Sequence, residues 1–259
     1  MTEASAILAI AHRDFIKLLR DRTRIVSSFA FPLIFIGVLG SSLQSGFGER
    51  AGVNLLVFVF TGVLGMTIWQ STMQGIISLI ADREEDFSQE VFVSPISRYS
   101  IIAGKILGES LVALPQALGI LAFALVLRIP LSLDQLGRIL PTLLVVAVFG
   151  GAFGVIVLAN LGSQRAAQQI FPFVLLPQYF LSGIFNPIGN LPLPLDIVSK
   201  ISPMRYAVDL TRDAYYADVP PAERVQQFDA PTNLVIIAVM FVVFIGVGTF
   251  LFVRAERNR

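Results

Sequence analysis

Six apolar runs of about twenty residues each occupy nearly half of this chain and decide most of what it can become. They fall at residues 25–43, 53–80, 106–127, 139–161, 170–188 and 232–253. A helix rises about 1.5 Å per residue, so roughly 20 residues cross the hydrocarbon of a bilayer. Composition points the same way. A soluble domain of this length carries about a quarter of its residues as charges; here 55% are hydrophobic and 14% charged, with mean hydropathy +0.75. The expected fold class is therefore all-α and integral to the membrane, with six transmembrane helices. An N-terminal amphipathic helix at the interface (5–24), a cytoplasmic helix between spans two and three (within 82–98) and short outer helices between spans five and six (within 189–231) complete it. The whole chain, 1–259, is expected to form a single transmembrane domain.

Lysine and arginine set the direction of insertion. With the N-terminus inside, Arg13, Lys17, Arg20, Arg22, Arg24, Arg83, Arg98, Lys105, Arg165, Arg254, Arg257 and Arg259 lie on the inner side. The outer side holds fewer, and Lys200, Arg205, Arg212 and Arg224 fall in the long 189–231 segment, where the rule gives them little weight. The chain is expected in the cell (plasma or inner) membrane, multi-pass, with both termini cytoplasmic. The first run is too long for the core of a signal peptide and is expected to persist.

Several function classes are excluded. With no cysteine and a single histidine, His12, the chain has no thiol nucleophile, no disulfide framework and no histidine-centred triad or zinc site. The net charge of +1 offers no footprint for nucleic acid. Charges at membrane depth mark ion and proton routes, yet the expected spans contain only Glu109, near the inner end of span three. A nucleotide site is missing too: Gly104-Lys105 is followed by Ile106 and Leu107, without the Ser or Thr that holds Mg²⁺ in a phosphate loop. No metal site and no catalytic residue is expected. Energy for any transport must come from another chain.

Between the spans, three stretches carry pattern. In residues 5–24, Leu8, Ala11, Phe15, Leu18 and Leu19 recur at helical spacing opposite Arg13, Lys17, Arg20, Asp21 and Arg24, which suits a basic amphipathic helix against lipid headgroups. In residues 82–98, Glu84, Glu85 and Asp86 sit beside the apolar Phe87 and Val91. That acidic stretch suits a protein partner better than the negative inner leaflet. In residues 189–231, prolines break the chain before a helical stretch around Tyr206 to Tyr216, expected to lie on the outer surface. Uncharged polar residues gather in span two (Thr67, Trp69, Gln70, Ser71, Thr72, Gln74) and around spans four and five (Asn160, Gln164, Gln168, Gln169, Gln178, Asn186). They can join helices by hydrogen bonds or line a route for a solute.

Two stretches resemble the signatures of ABC-2-type transporter permeases, on the drug- and antibiotic-exporter branch. The first is Glu90, Val91, Phe92, Ser94, Pro95, Ser97 and Arg98, leading to Gly104 and Lys105; the second is Ser182-Gly183 followed by Pro203, Tyr206, Asp209 and Arg212. Phe87-Ser88-Gln89 departs from the Gly-Thr-Leu that often precedes the first signature. The resemblance implies the permease subunit of an ATP-driven exporter of a drug, a lipid or a lipid-linked glycan. It also implies two separate ATP-binding subunits that hold ATP and Mg, and a second permease copy or paralogue as partner. On that reading Arg83, Glu84, Glu85, Asp86, Phe87, Glu90, Val91, Ser94, Pro95 and Arg98 couple to the ATPase. Spans one, two and five line the substrate route, with Phe35, Trp69, Gln70, Met73, Phe173, Gln178 and Asn186 as candidates. Pro187, Pro203, Tyr206, Asp209 and Arg212 form an outer gate. A non-transporting membrane anchor and a secondary transporter are the alternatives.

Overall fold

The computed structural model describes residues 3–51, 53–84, 97–161, 163–185, 188, 191–218 and 225–257, and among these it is helical with no strand. Helix α1 (Glu3–Arg20) leads to α2 (Arg22–Ile34), which passes through a π-helical turn (Phe35–Gly40) into α3 (Ser41–Ala51). Then follow α4 (Leu55–Glu84), α5 (Arg98–Val126), α6 (Leu133–Ala159) and α7 (Gln164–Leu181). The chain ends with α8 (Leu193–Ile201), α9 (Pro203–Tyr216) and α10 (Ala230–Arg257). Serines start three of these helices. The hydroxyls of Ser97, Ser132 and Ser163 accept from the N–H three residues on, and Gln135 returns the bond to the Ser132 N–H as a capping box.

Among the described residues, five stretches are long and apolar enough to cross a membrane: Ser28–Gly48, Leu55–Ile80, Tyr99–Val126, Leu133–Ala159 and Ala230–Leu251. They match the expected first, second, third, fourth and sixth runs. The fifth run differs. Helix α7 begins six residues before the expected 170 and stops at Leu181 rather than 188, and Gly183 turns the chain with φ +75°. Its first turns carry Gln164, Arg165, Gln168 and Gln169, which dilute its apolarity.

Helix α4 is the centre of the bundle, and α6 packs against it through a pair of glycines. Gly150 lies against the Trp69 carbonyl, and a Cβ on Gly154 would stand 2.8 Å from the Met73 carbonyl oxygen. The Gly104 and Gly108 pair of α5 does the same for α1, where a Cβ on Gly108 would stand 2.9 Å from the Ala11 Cα. Both pairs thus serve close helix approach within this chain. The face that α1 packs is Ile7, Ala11 and Asp14, since the glycine groove admits small side chains. Leu8, expected on the apolar side toward lipid, is 68% exposed and off that packed face.

The largest correction concerns α9. In place of a helix on the outer surface, α9 is a buried wedge between α4, α6 and α10, with every residue except Asp213 buried. Tyr206, Tyr215 and Tyr216 are therefore packed inside the bundle.

Candidate translocation cavity

One face of α4 is polar from Thr67 to Ser78. Thr67, Gln70, Ser71, Gln74 and Ser78 follow at helical steps of three, four, seven and eleven residues, and all line a cavity of about 510 Å³. Its other walls come from Ser28, Phe31 and Pro32 of α2, Lys105, Glu109 and Gln116 of α5, Asp14 and Lys17 of α1, and Gln164 of α7. The opposite face of α4, with Trp69, Thr72, Met73 and Ile76, is buried against α6, where Trp69 stacks 5.0 Å from Phe153. The helix therefore separates its polar residues into a lining set and a packing set.

A second, more apolar cleft of about 580 Å³ opens between α4 and α7, lined by Ile77, Ala167, Phe171, Pro172, Leu175, Leu176 and Tyr179. It shares Gln74, Ser78 and Gln164 with the first cavity. Between the two, the Tyr179 hydroxyl donates to Gln70 Oε1 at 2.7 Å and ties α7 to the polar face of α4. Together these spaces suit a solute that is polar at one end and apolar at the other.

One end of the cavity is charged: an acidic side chain of α1 joins Lys105 and Glu109 of α5. Lys105 Nζ stands 3.0 Å from Asp14 Oδ2 and 3.4 Å from Glu109 Oε1, and all three side chains are almost fully buried. Buried charges persist only when paired, and α1 supplies the missing carboxylate. Gly75 of α4 leaves room for the Glu109 carboxyl, which would collide with any Cβ there. Where α1 begins, Glu3 accepts from the Ser97 N–H at 3.3 Å and the Ser97 hydroxyl at 3.4 Å, at the start of α5. The Ser100 hydroxyl above all, then these Ser97 groups, hold the Glu3 carboxyl below its ordinary pKa, with partial desolvation opposing them.

The second signature is a set of internal ties. Tyr206 donates to the Lys200 carbonyl at 2.7 Å, joining α9 to α8. Asp209 accepts from the Gln227 N–H at 2.7 Å, the Phe228 N–H at 2.8 Å and Asn233 Nδ2 at 3.0 Å, fixing the start of α10. Arg212 donates to the Gly183 carbonyl at 2.6 Å and lies 3.9 Å over the Phe58 ring, so a cation caps the C-terminal turn of α7. Arg205, Ser199 and the Leu181 carbonyl extend this cap, with Arg205 donating to Ser199 at 2.7 Å and Ser199 to Leu181 at 2.5 Å. Outside the membrane-spanning stretches, Asp196 on α8 is held below its ordinary pKa, first by its hydrogen bond from Lys200.

Of the described residues expected along a substrate route, only Gln70 lines the cavity; the Phe35 ring lies tilted against Phe31 beside it, with ring centroids 4.1 Å apart. Trp69 and Met73 face α6, and Phe173 points outward at 80% exposure, because α7 turns Phe171 and Leu175 toward α4 instead. Gln178 is a junction: its Oε1 accepts from the Ser202 hydroxyl and the Met204 N–H, both at 3.3 Å. Among the expected gate residues, Pro203 opens α9 and is buried with Tyr206, Asp209 and Arg212. Arg83 and Glu84 end α4, and Arg98 begins α5. Glu85, Asp86, Phe87, Glu90, Val91, Ser94, Pro95, Asn186 and Pro187 lie outside the described residues. The sequence reading missed Asp14, Lys105 and Gln116 as neighbours of the cavity. A wheel of α5 offered the only signal, since Lys105, Glu109 and Gln116 share one face.

The bundle and its lined cavity define a multi-pass helical membrane protein built around a space for a solute. The family model described as ABC-2 type transporter matches residues 5–216, and the chain belongs to this family. It is similar to a chain named as transport permease ycf38 of Cyanophora paradoxa, 27% identical over 213 residues covering 81% of this chain and 73% of that one. A chain named as multidrug ABC transporter permease YbhR of Escherichia coli K12 is 28% identical over 144 residues, 55% of this chain and 39% of the relative's length. Nodulation protein J of Rhizobium meliloti strain 1021 is 26% identical, covering 73% and 72% of the two chains. The chain is thus a transport permease of the ABC-2 class, a transport component that works with ABC transporter partners.

Proposed function

We propose that this chain is the permease subunit of an ATP-driven exporter and that the cavity between α2, α4, α5 and α7 is its translocation route. The single observation that carries this reading is the polar face of α4, five uncharged side chains on a helix otherwise buried in apolar packing, turned onto an amphipathic space. Apart from the inner-end ion cluster, the lining offers hydrogen bonds and apolar contact, which suits a hydrophobic or amphiphilic cargo such as a drug, a lipid or a lipid-linked glycan. Work would come from two separate ATP-binding subunits that hold ATP and Mg. They would dock on the segment from Arg83 to Arg98, with Glu84, Glu85, Asp86, Phe87, Glu90, Val91, Ser94 and Pro95 as the contact surface. The start of α1, tied to Ser97 through Glu3, adjoins that segment. A second permease copy or paralogue would complete the route.

Six crossings with both termini inside fit the packing. Gln135 and Arg138, at the start of α6, donate to the Tyr215 and Ala214 carbonyls at 3.0 and 3.3 Å. The end of α9 thus sits beside the start of α6, while α7 begins just past the end of α6. Residues 164–216 therefore return along the length of α6, about 40 Å at 1.5 Å per residue, which supports α7 as a crossing, the fifth in chain order. The drug-exporter branch is favoured by the relative named as a multidrug permease.

The test is a bulky plug. Gln74→Trp in the chain co-reconstituted with its ATP-binding subunits is expected to abolish export of a fluorescent amphiphile while leaving basal ATP turnover. Undiminished export would remove the cavity from the route.

A further inference from the structure

Two polar atoms in the cavity have no partner. Gln116 Oε1 of α5 and Thr67 Oγ1 of α4 are buried without a hydrogen bond, and both residues line the cavity. The Gln116 side chain is 5% exposed. An unsatisfied buried polar group costs roughly 1–3 kcal/mol, so two in one cavity mark a place where something else completes the bonding. They also stand at the same depth. Glu109 meets Gly75, which fixes the level of α5 against α4. From there Thr67 lies eight residues back along α4, about 12 Å, and Gln116 seven residues on along α5, about 10 Å in the same direction because the helices run antiparallel.

We propose that Thr67 and Gln116 form a headgroup subsite that selects an uncharged, hydroxyl-bearing amphiphile, whose apolar chain lies in the cleft toward Phe171, Leu175 and Leu176. A hydroxyl both donates and accepts, so it satisfies a threonine hydroxyl and a glutamine amide in either orientation. A charged headgroup at this level would give up its hydration to two neutral partners. The cationic wall residues are already engaged: Lys105 is held between Asp14 and Glu109, and Lys17 also has a partner. The two spaces join at the shared Gln74, Ser78 and Gln164, about 10 Å along α4 from Thr67 and beyond the Tyr179–Gln70 tie, a distance a long alkyl chain spans. This selection rests on the cavity being the translocation route.

The test uses the full-length chain in phosphatidylcholine nanodiscs and three probes with the same photoreactive dodecyl chain, ending in a glycerol ether, a trimethylammonium or a sulfate. Labelled peptides are mapped by mass spectrometry. The glycerol ether is expected to label the 167–179 stretch most strongly. Gln116→Leu and Thr67→Val should each lower that labelling by about three- to tenfold, the worth of one hydrogen bond. Thr67→Ser, which keeps the hydroxyl, should restore it, and this pair decides the matter if Gln116→Leu does not fold. Equal labelling by all three probes, or labelling unchanged by the variants, overturns the headgroup selection and leaves the route standing. No labelling of the stretch by any probe overturns the route itself.

Discussion

Asp209 shows how much one carboxylate can hold in a buried setting. Its two oxygens take two backbone N–H groups and one side-chain amide, all at the point where the chain enters α10. Replacement by alanine strands three donors inside the bundle, each costing roughly 1–3 kcal/mol if left unmade. Asp209→Ala is expected to lower stability by about 3 kcal/mol or more, and Asp209→Asn by less, since an amide oxygen still accepts. Export should fall in step with the thermal unfolding midpoint measured in detergent. Loss of export at an unchanged midpoint would show that Asp209 acts in gating alone. The neighbouring arginines follow the same physics: Arg212 and Arg205 are buried because the end of α7 and the α8 serine give them carbonyl and hydroxyl oxygens.

At the scale of helices, the glycine pairs set which neighbours are possible. Gly108 brings α1 within backbone contact of α5, and that contact places Asp14 beside Lys105. Gly108→Leu is expected to push α1 off α5, separate the ion pair and leave Lys105 and Glu109 as a lone buried pair. Proteolysis should then cut α1 far faster than in the wild-type chain while the fragment from α4 to α10 stays intact. Equal protection of α1 in both would mean that the helix is held elsewhere. The apolar helices were legible in sequence because length and hydropathy are local properties. So was the gathering of polar residues on span two, although the split between its lining and packing faces depends on which neighbour takes which side. The union of Asp14 with Lys105 was not legible, because ninety-one residues separate them and nothing local to either announces the other. For α9, alternation of polar and apolar residues pointed to a surface helix. A buried helix with the same pattern needs a partner for each polar group, and those partners come from α7, α8, α10 and the Gln227–Phe228 turn.

The whole molecule is a question of sides. If α7 crosses and the N-terminus lies inside, as proposed, the start of α6, the end of α9 and the start of α10 share the outer face, and the Lys105 end of the cavity opens inward. If α7 did not cross, residues 164–216 would have to return along the length of α6 by another route to bring the Tyr215 and Ala214 carbonyls within 3.0 and 3.3 Å of Gln135 and Arg138. The chain has no cysteine, so single cysteines report without background. Asp218→Cys, at an exposed position joined to Arg138, is expected to react with a membrane-impermeant maleimide in right-side-out vesicles only. Ser78→Cys, at the inner part of the cavity lining, is expected to react in inside-out vesicles only. Trapping the co-expressed ATP-binding subunits with a non-hydrolysable nucleotide should slow labelling at Ser78→Cys and leave Asp218→Cys unchanged, because closing the inner mouth leaves the outer ties in place. Reaction of both cysteines from one side would break the six-crossing arrangement, and labelling of Ser78→Cys indifferent to nucleotide would detach the cavity from the motor.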